Sequence, residues 1–326
     1  MILYTKQLLN QLTELVKTTL PHFGLERGAN VKLLTTSENA TFVLGDKPQY
    51  IIRVYRPDYH SDVEIASELC WMQALKEQKS VWLPGIITTS SGGLFLKNDG
   101  WRLACFDYIE GFEPKPDRDL IVLFNQLGMI AAKLHKHVQT WQKPEHFTRK
   151  HWTYETMIGK YAIWGNWRDA QGLTHDERAL LEHCDRQLQQ KEKLFPTTSE
   201  HYGLIHSDLR LANLIVNGSQ IAAIDFDDCG FSWFGLDLAN AISFIELDPM
   251  VPELVASWLK GYESQQLPTD TIRTLLPDLI MMRRLQLTAW LASHNETPTA
   301  TELGVAYNKG TVELGKRWLA GLNFIE

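Results

Sequence analysis

The sequence holds only four cysteines in 326 residues, Cys70, Cys105, Cys184 and Cys229, and no two of them form a C-x-x-C pair. That speaks against a zinc knuckle or a redox dithiol, and leaves scattered thiols suited to a core in a reducing cytosol. Long hydrophobic runs are missing too. No stretch approaches the roughly 18 apolar residues of a membrane span. The N-terminal MILYTKQLLNQLTELVKTTL is interrupted by Lys6, Glu14 and Lys17 and has no small-residue cleavage site, so a secretory signal is not expected. Positive charge is not in excess: 32 Lys and Arg against 39 Asp and Glu give a net charge of −7. A general nucleic-acid binder needs a basic face for phosphate contacts, so that class is set aside. Repeats and low-complexity segments are absent as well. The expectation is a cytoplasmic protein with no nucleic-acid or membrane partner; its oligomeric state is not legible.

What is there is a globular chain, 44% hydrophobic and 22% charged, which a disordered segment would not be. Its length suits two domains or lobes. Residues 6–20 carry Leu8, Leu9, Leu12, Leu15, Val16 and Leu20 at helical spacing. From 31 to 56 the texture becomes VKLLTT, ATFVLG and YIIRVY, separated by polar turns, which reads as three antiparallel strands. A helix follows over 62–78, then the strand-like runs GIITT, GGLFLKN and WRLACFDYIEG. The reading is an N-terminal antiparallel five-stranded sheet with one inserted helix. Beyond Gly111 the pattern is mostly helical, over 118–138, 174–193, 250–264, 269–294 and 300–321. GLIH, NLIV and IAAIDF at 203–226 are the exception, with Asn217-Gly218 as a hairpin turn between the last two. The fold class is therefore α+β with two lobes, an N-terminal lobe over 1–108 and a helical C-terminal lobe over 109–326.

The chemistry sits in Gly203–Val216, which reads H-x-D-x-x-x-x-N from His206 through Asp208 to Asn213, and in Asp225-Phe226-Asp227 after the hairpin. Phosphoryl transfer from a nucleotide needs a carboxylate beside the attacking hydroxyl and oxygen ligands for a metal on the phosphates. Asp208 suits the first task. Asn213 and Asp225 suit the second, because Mg²⁺ takes one or two protein oxygens and fills its shell with water and phosphate.

These motifs resemble the aminoglycoside/choline phosphotransferase-like family, the small-molecule relatives of protein kinases, and within it the bacterial branch of type II homoserine kinases and the stress-response kinase. Ile52-Arg53-Val54-Tyr55-Arg56-Pro57 and Glu64-Ile65-Ala66-Ser67-Glu68 carry the resemblance upstream. It implies a two-lobed protein-kinase-like fold, ATP and Mg²⁺ as cofactors, and a small-molecule hydroxyl as acceptor. Asp208 would be the catalytic base, Asn213 and Asp225 the magnesium ligands, and Arg53 the cation on the phosphates. Glu68, or else Glu64 one helical turn earlier, would pair with Arg53. The turn from Ser37 through Asn39 to Phe42 would cover the phosphates, and Phe106–Ile109, with Tyr108, would be the hinge that meets the adenine. Asp237 would brace the catalytic loop. Two positions depart from the family pattern: Arg53 stands where protein kinases have lysine, and Ser207 where H-G-D is common. Serine suits that position only where φ is negative.

Arg210 is placed to touch substrate or the transferred phosphate. Asp228, Arg283 and Trp290 are candidate acceptor contacts; a salt bridge, cap or packing role would explain the same residues. Trp141, Trp152, Trp164 and Trp167 suit either an aromatic box for an ammonium group or plain packing. The acceptor stays open among homoserine-, amino-sugar- and choline-like alcohols. Three other classes remain: a stress-response type protein Ser/Thr kinase, a non-catalytic nucleotide-binding pseudokinase, and a metal-dependent phosphohydrolase.

Overall fold

The computed structural model describes residues 4–36, 39–115, 119–295 and 297–321. Helix α1 (Lys6–Thr19) begins where the Thr5 hydroxyl accepts from Leu8 N at 3.2 Å. Strands β1 (Val31–Thr36), β2 (Ala40–Leu44) and β3 (Tyr50–Tyr55) follow as an antiparallel meander. Helix α2 (Asp62–Glu77) opens on a capping box in which Ser61 and Glu64 satisfy each other's backbone amides. Strands β4 (Ile86–Ile87), β5 (Leu96–Asn98) and β6 (Trp101–Asp107) complete the sheet, whose order is β1-β2-β3-β6-β4 with β5 also on β6. The sheet so has six strands among the described residues, not five. Ile86 and Ile87 pair with Phe106 and Cys105, while Leu96–Asn98 pair with Leu103–Trp101, so two short strands share the fifth place in line.

The later chain gives α3 (Leu120–Thr140), α4 (Tyr154–Met157), α5 (His175–Glu192), β7 (Tyr202–Ile205), β8 (Leu214–Asn217), β9 (Gln220–Ala223), β10 (Gly230–Trp233), α6 (Gly235–Ala241), α7 (Val251–Glu263), α8 (Asp270–Ser293) and α9 (Pro298–Leu319). Neither α4 nor β10 is signalled by periodicity, and α9 is broken at Gly304, which has φ 43° and ψ −137°. In the β8–β9 hairpin the turn falls one residue later than expected: Asn217 ends the strand and Gly218, at φ 60°, takes the first turn position. Among the described residues no helix is long and apolar enough to cross a membrane.

The chain divides into two compact units. The first comprises Met1–Glu113, Lys143–Arg149 and Ile215–Asp227. Its core lies between α1 and the sheet, from Leu12, Val16 and Leu20 to Phe42, Ile52 and Leu103. Its late segment is stitched on by main-chain bonds, Val216 N to Phe112 O at 2.9 Å and Ala223 N to Trp82 O at 3.0 Å.

The second unit holds Pro114–Gln142, Lys150–Leu214 and Asp228–Glu326. Helix α8 is buried on nearly every side, from Ile272 to Leu291, as expected of a central helix. Helices α3 and α7 touch backbone to backbone: a Cβ on Gly261 would lie 1.9 Å from Asn125 O, and one on Gly128 would lie 2.0 Å from Trp258 O. Strands β7 and β10 pair antiparallel beneath the catalytic-loop segment.

Candidate active site

In the second unit, β7 delivers His206, Ser207 and Asp208 to a loop pinned from α6. Asp237 accepts from Ser207 N at 2.9 Å and from His206 N at 3.3 Å, and its Oδ2 also meets His135 Nε2 at 3.0 Å. His135 in turn meets the Tyr262 hydroxyl and stacks on Phe234, so it is held inside the unit as part of this brace. Asn240 Nδ2 donates to Ser207 O at 2.7 Å. Between these anchors Ser207 adopts φ 68°, the left-handed conformation that the serine at this place was not expected to meet. Its buried hydroxyl has no hydrogen-bond partner among the described residues.

Asp208 lies at the meeting point of three donors. Arg283 NH2 reaches Oδ1 at 3.0 Å, Asn213 Nδ2 reaches Oδ2 at 2.7 Å, and Arg210 Nε lies 3.2 Å from Oδ2. Arg283 is fixed by its other nitrogens on Ser243 Oγ at 3.2 Å and Gln286 Oε1 at 3.0 Å, with its guanidinium 4.9 Å from the Trp164 ring. Burial alone would raise the Asp208 carboxyl, but Arg210, Arg283 and His206 overcome it and hold it below the usual carboxylate range. Asn213 Nδ2 also donates to Asp208 O at 2.8 Å, which commits the amide nitrogen and leaves Oδ1 as the atom a cation can use. The arrangement is a fixed, ionised carboxylate flanked by two guanidiniums, suited to orienting a hydroxyl next to a developing phosphoryl charge.

The first unit carries the other group. Arg53, on β3, pairs with Glu68 Oε1 at 2.7 Å and with Asp225 Oδ1 at 2.9 Å, and lies 3.7 Å from Asp227 Oδ1. Tyr55 donates to Glu68 Oε2 at 3.2 Å, and the Arg53 guanidinium lies 5.4 Å from the Phe106 ring. Glu64 turns back to Ser61, so of the two candidate glutamates Glu68 is the one on Arg53. Burial would lower the Arg53 guanidinium, yet Asp225, Glu68 and Asp227 raise it well above its ordinary value. Burial pushes the Glu68 carboxyl up to about 7, against the pull of Arg53. Asp227 is buried, with His60 Nε2 at 3.5 Å from Oδ2; although burial opposes it, His60, Arg53 and Arg149 hold its carboxyl far below the usual range.

The remaining candidates fall into local roles. Asn39 Oδ1 accepts from Arg56 N at 2.9 Å and ties the start of β2 to the end of β3. The Tyr108 and Asp107 amides are engaged by Gln49 O and Gly85 O. Ser37 lies outside the described residues. Asp228, half-buried in the second unit, accepts from Trp152 Nε1 through its carbonyl and adds negative charge beside Arg283. Trp290 stacks on His294 with ring centres 4.8 Å apart. Trp152 and Trp164 meet edge to face at 5.6 Å, and Trp167 donates to Asp185, so these rings pack the unit. His60, Arg149, Ser243 and Gln286 are the site neighbours that sequence reasoning missed. They belong to no motif, and the partners of His60, Arg149 and Ser243 are far away in the chain, while Gln286 meets Arg283 one helical turn before it.

Residues 32–273 match the Phosphotransferase enzyme family (APH). The structure of a microcompartment-associated aminopropanol kinase superposes with a TM-score of 0.87 and 36% identity, covering 95% of this chain and 98% of that one. The amicoumacin kinase of Bacillus subtilis (strain 168) is 22% identical over 283 residues, 78% of this chain and 77% of that protein. An amicoumacin kinase solved in complex with AMP-PNP, Ca²⁺ and Ami gives a TM-score of 0.73 at 21% identity, covering 95% of this chain and 94% of that one.

Proposed function

Since the chain belongs to the Phosphotransferase enzyme family (APH) and is a kinase of small molecules, we propose that it moves the γ-phosphoryl group of ATP, with Mg²⁺, to the hydroxyl of a small amino alcohol. The observation that carries this reading is the Asp208 carboxylate, held ionised between Arg283, Arg210 and Asn213. The nucleotide is supported by the AMP-PNP and Ca²⁺ in the amicoumacin kinase complex. The acceptor class is supported by the 36% identity to an aminopropanol kinase across nearly the whole chain. Homoserine, amino sugars and choline share the same hydroxyl-plus-nitrogen pattern.

In this reading Asp208 Oδ accepts a hydrogen bond from the acceptor hydroxyl and aims its oxygen at the γ-phosphorus. The new P–O bond forms as the bond to the β-γ bridging oxygen breaks, ADP leaves, and the hydroxyl proton passes to Asp208. Arg210 offers a guanidinium to the charge that spreads over the phosphoryl oxygens. Arg53 grips phosphate oxygens with a fork that a lysine lacks. Asn213 and Asp225 would each contribute one oxygen to Mg²⁺, a hard donor pair that fits this ion. Bound there, the metal would neutralise phosphate charge. Ile109 would read the adenine, since the Asp107 and Tyr108 amides already serve the sheet. Asp228, the half-buried carboxylate near Arg283, is the proposed seat of the acceptor's ammonium.

ADP release from MgATP tests the reading, with aminopropanol, ethanolamine, homoserine and choline offered singly to the wild type and to Asp208→Asn. Alcohol-dependent turnover by the wild type, at least 10³-fold lower in Asp208→Asn with MgATP affinity kept within a few fold, is the expected result. Turnover only with a protein fraction would replace it with the Ser/Thr kinase reading. Nucleotide binding with no turnover on any acceptor would replace it with the pseudokinase.

A further inference from the structure

Arg149 takes part in no motif, yet it is 3% exposed and both terminal nitrogens of its guanidinium make hydrogen bonds. It lies in the Lys143–Arg149 segment, which packs within the first unit. NH1 donates to Glu64 O at 2.9 Å, and NH2 donates to Asp227 O. One carbonyl belongs to α2, a single helical turn before Glu68. The other lies two residues after Asp225. The same segment is anchored a second time, by Thr148 N on the buried Ser67 Oγ at 3.0 Å.

Those two carbonyls belong to the two elements that grip Arg53. Glu68 holds it from α2 at 2.7 Å; Asp225 holds it from the loop after β9 at 2.9 Å. A shift of either element would change the direction in which Arg53 points. Trp71 of α2 also packs edge-on to Phe226, with ring centres 5.4 Å apart. Ring contacts permit sliding, whereas two hydrogen bonds from one rigid planar group do not. We propose that Arg149 is a positioning residue for nucleotide and metal binding: a strap that joins the main chain of α2 to the Asp225–Asp227 loop and so sets Arg53, Glu68 and Asp225 in one register.

A guanidinium can span the two carbonyls because its nitrogens form a fixed fork. A lysine at this place reaches one of them at a time. The strap's bonds go to main-chain carbonyls beside Glu68 and Asp225, so its loss should loosen the nucleotide end of the reaction and leave the acceptor end alone.

This inference rests on the phosphotransferase reading given above, and the test separates the two. Hydrogen exchange on the protein without nucleotide compares the wild type with Arg149→Met and Arg149→Lys. The strap predicts faster exchange in Arg149→Met at the first turns of α2 and at 224–228 together, with Arg149→Lys in between. Faster exchange at one segment alone, or at neither, would overturn it whatever the enzyme does. Calorimetry with Mg·AMP-PNP should then show affinity weakened on the order of tenfold in Arg149→Met, as for other groups one layer behind a metal ligand. The KM for ATP should rise in parallel while the acceptor KM stays within twofold. Nucleotide affinity and KM unchanged beside a lowered melting temperature would reduce Arg149 to packing. If Arg149→Met does not fold, Arg149→Lys decides on the same readouts. A wild type that fails to bind Mg·AMP-PNP would sink the phosphotransferase reading, and the exchange result would still judge the strap.

Discussion

Ser207 carries the clearest conflict between local preference and site geometry. A non-glycine residue in the left-handed region costs on the order of 1 kcal/mol or more, and a buried hydroxyl without a partner adds to that. The backbone is kept there by Asp237 on its amide and Asn240 on its carbonyl, so the loop's geometry overrides the residue's own preference. Replacing Ser207 by glycine removes both penalties and restores only the greater freedom of glycine in the unfolded chain, roughly 0.4–1 kcal/mol. The net expectation is a gain of about 1 kcal/mol in urea unfolding, with ADP formation retained. A Ser207→Gly protein less stable than the wild type would show that the hydroxyl has a role the strain argument leaves out. The motif itself was plain in the sequence, because His206, Asp208 and Asn213 lie within eight residues and Asp225 follows the next hairpin. The value of φ at Ser207 was not, since it depends on Asp237 and Asn240, some thirty residues on. Arg283 shows the same limit. Sequence places it near the acceptor, whereas its ion pair with Asp208 comes from the way α8 packs.

At the scale of elements, periodicity was enough wherever an apolar face is regular. The stripes of α1, α3 and α7 and the alternating burial of β2 are of this kind. It failed for β10, whose Gly230-Phe-Ser-Trp233 is a strand only because β7 is there to pair with it. It failed again for the Lys143–Arg149 segment, where the Arg149 bonds go to main-chain carbonyls and so leave no mark on the side-chain pattern of their partners. The crossing of α3 and α7 depends on a different signal, two glycines. At Gly261 an added methyl group would sit 1.9 Å from Asn125 O, with backbone on both sides and no flexible side chain to move. Gly261→Ala must therefore push the helices apart, although alanine is the better helix former by roughly 1 kcal/mol. A net loss of about 2 kcal/mol is expected, overpacking at its usual upper end of about 3 less the helix-propensity gain. The urea midpoint is the measurement, and a Gly261→Ala protein as stable as the wild type would mean that the helices stand further apart than described.

Over the whole molecule, stability should follow the carboxylates whose partners appear only on folding. Glu177 is lowered to about 2, first by Lys309 at 2.6 Å and then by the Thr174 amide. Asp62 is lowered by Arg102 and Lys97, Glu182 by Arg168, and Glu263 by Thr269 and Arg273. Each has a folded pKa below its unfolded value, so each contributes stability that is complete above about pH 5 and is lost as the pH falls through the folded value. Asp62 belongs to the first unit and the three glutamates to the second, so acid weakens both. Glu68 acts in the opposite sense. Burial raises its carboxyl to about 7, so ionising it costs stability as the pH climbs from 4.5 through 7. The urea midpoint is accordingly expected to peak near pH 5 and to decline on both sides. Lys309→Met should make the acid limb shallower and leave the upper limb in place, while Glu68→Gln should flatten the upper limb alone. Because the four lowered carboxylates are half-buried or exposed, 1 M salt, with a Debye length of about 3 Å, should also flatten the acid limb. An acid limb equally steep in Lys309→Met and in 1 M salt would mean that acid destabilises the fold through other groups, with the buried Asp227 beside His60 the first to test.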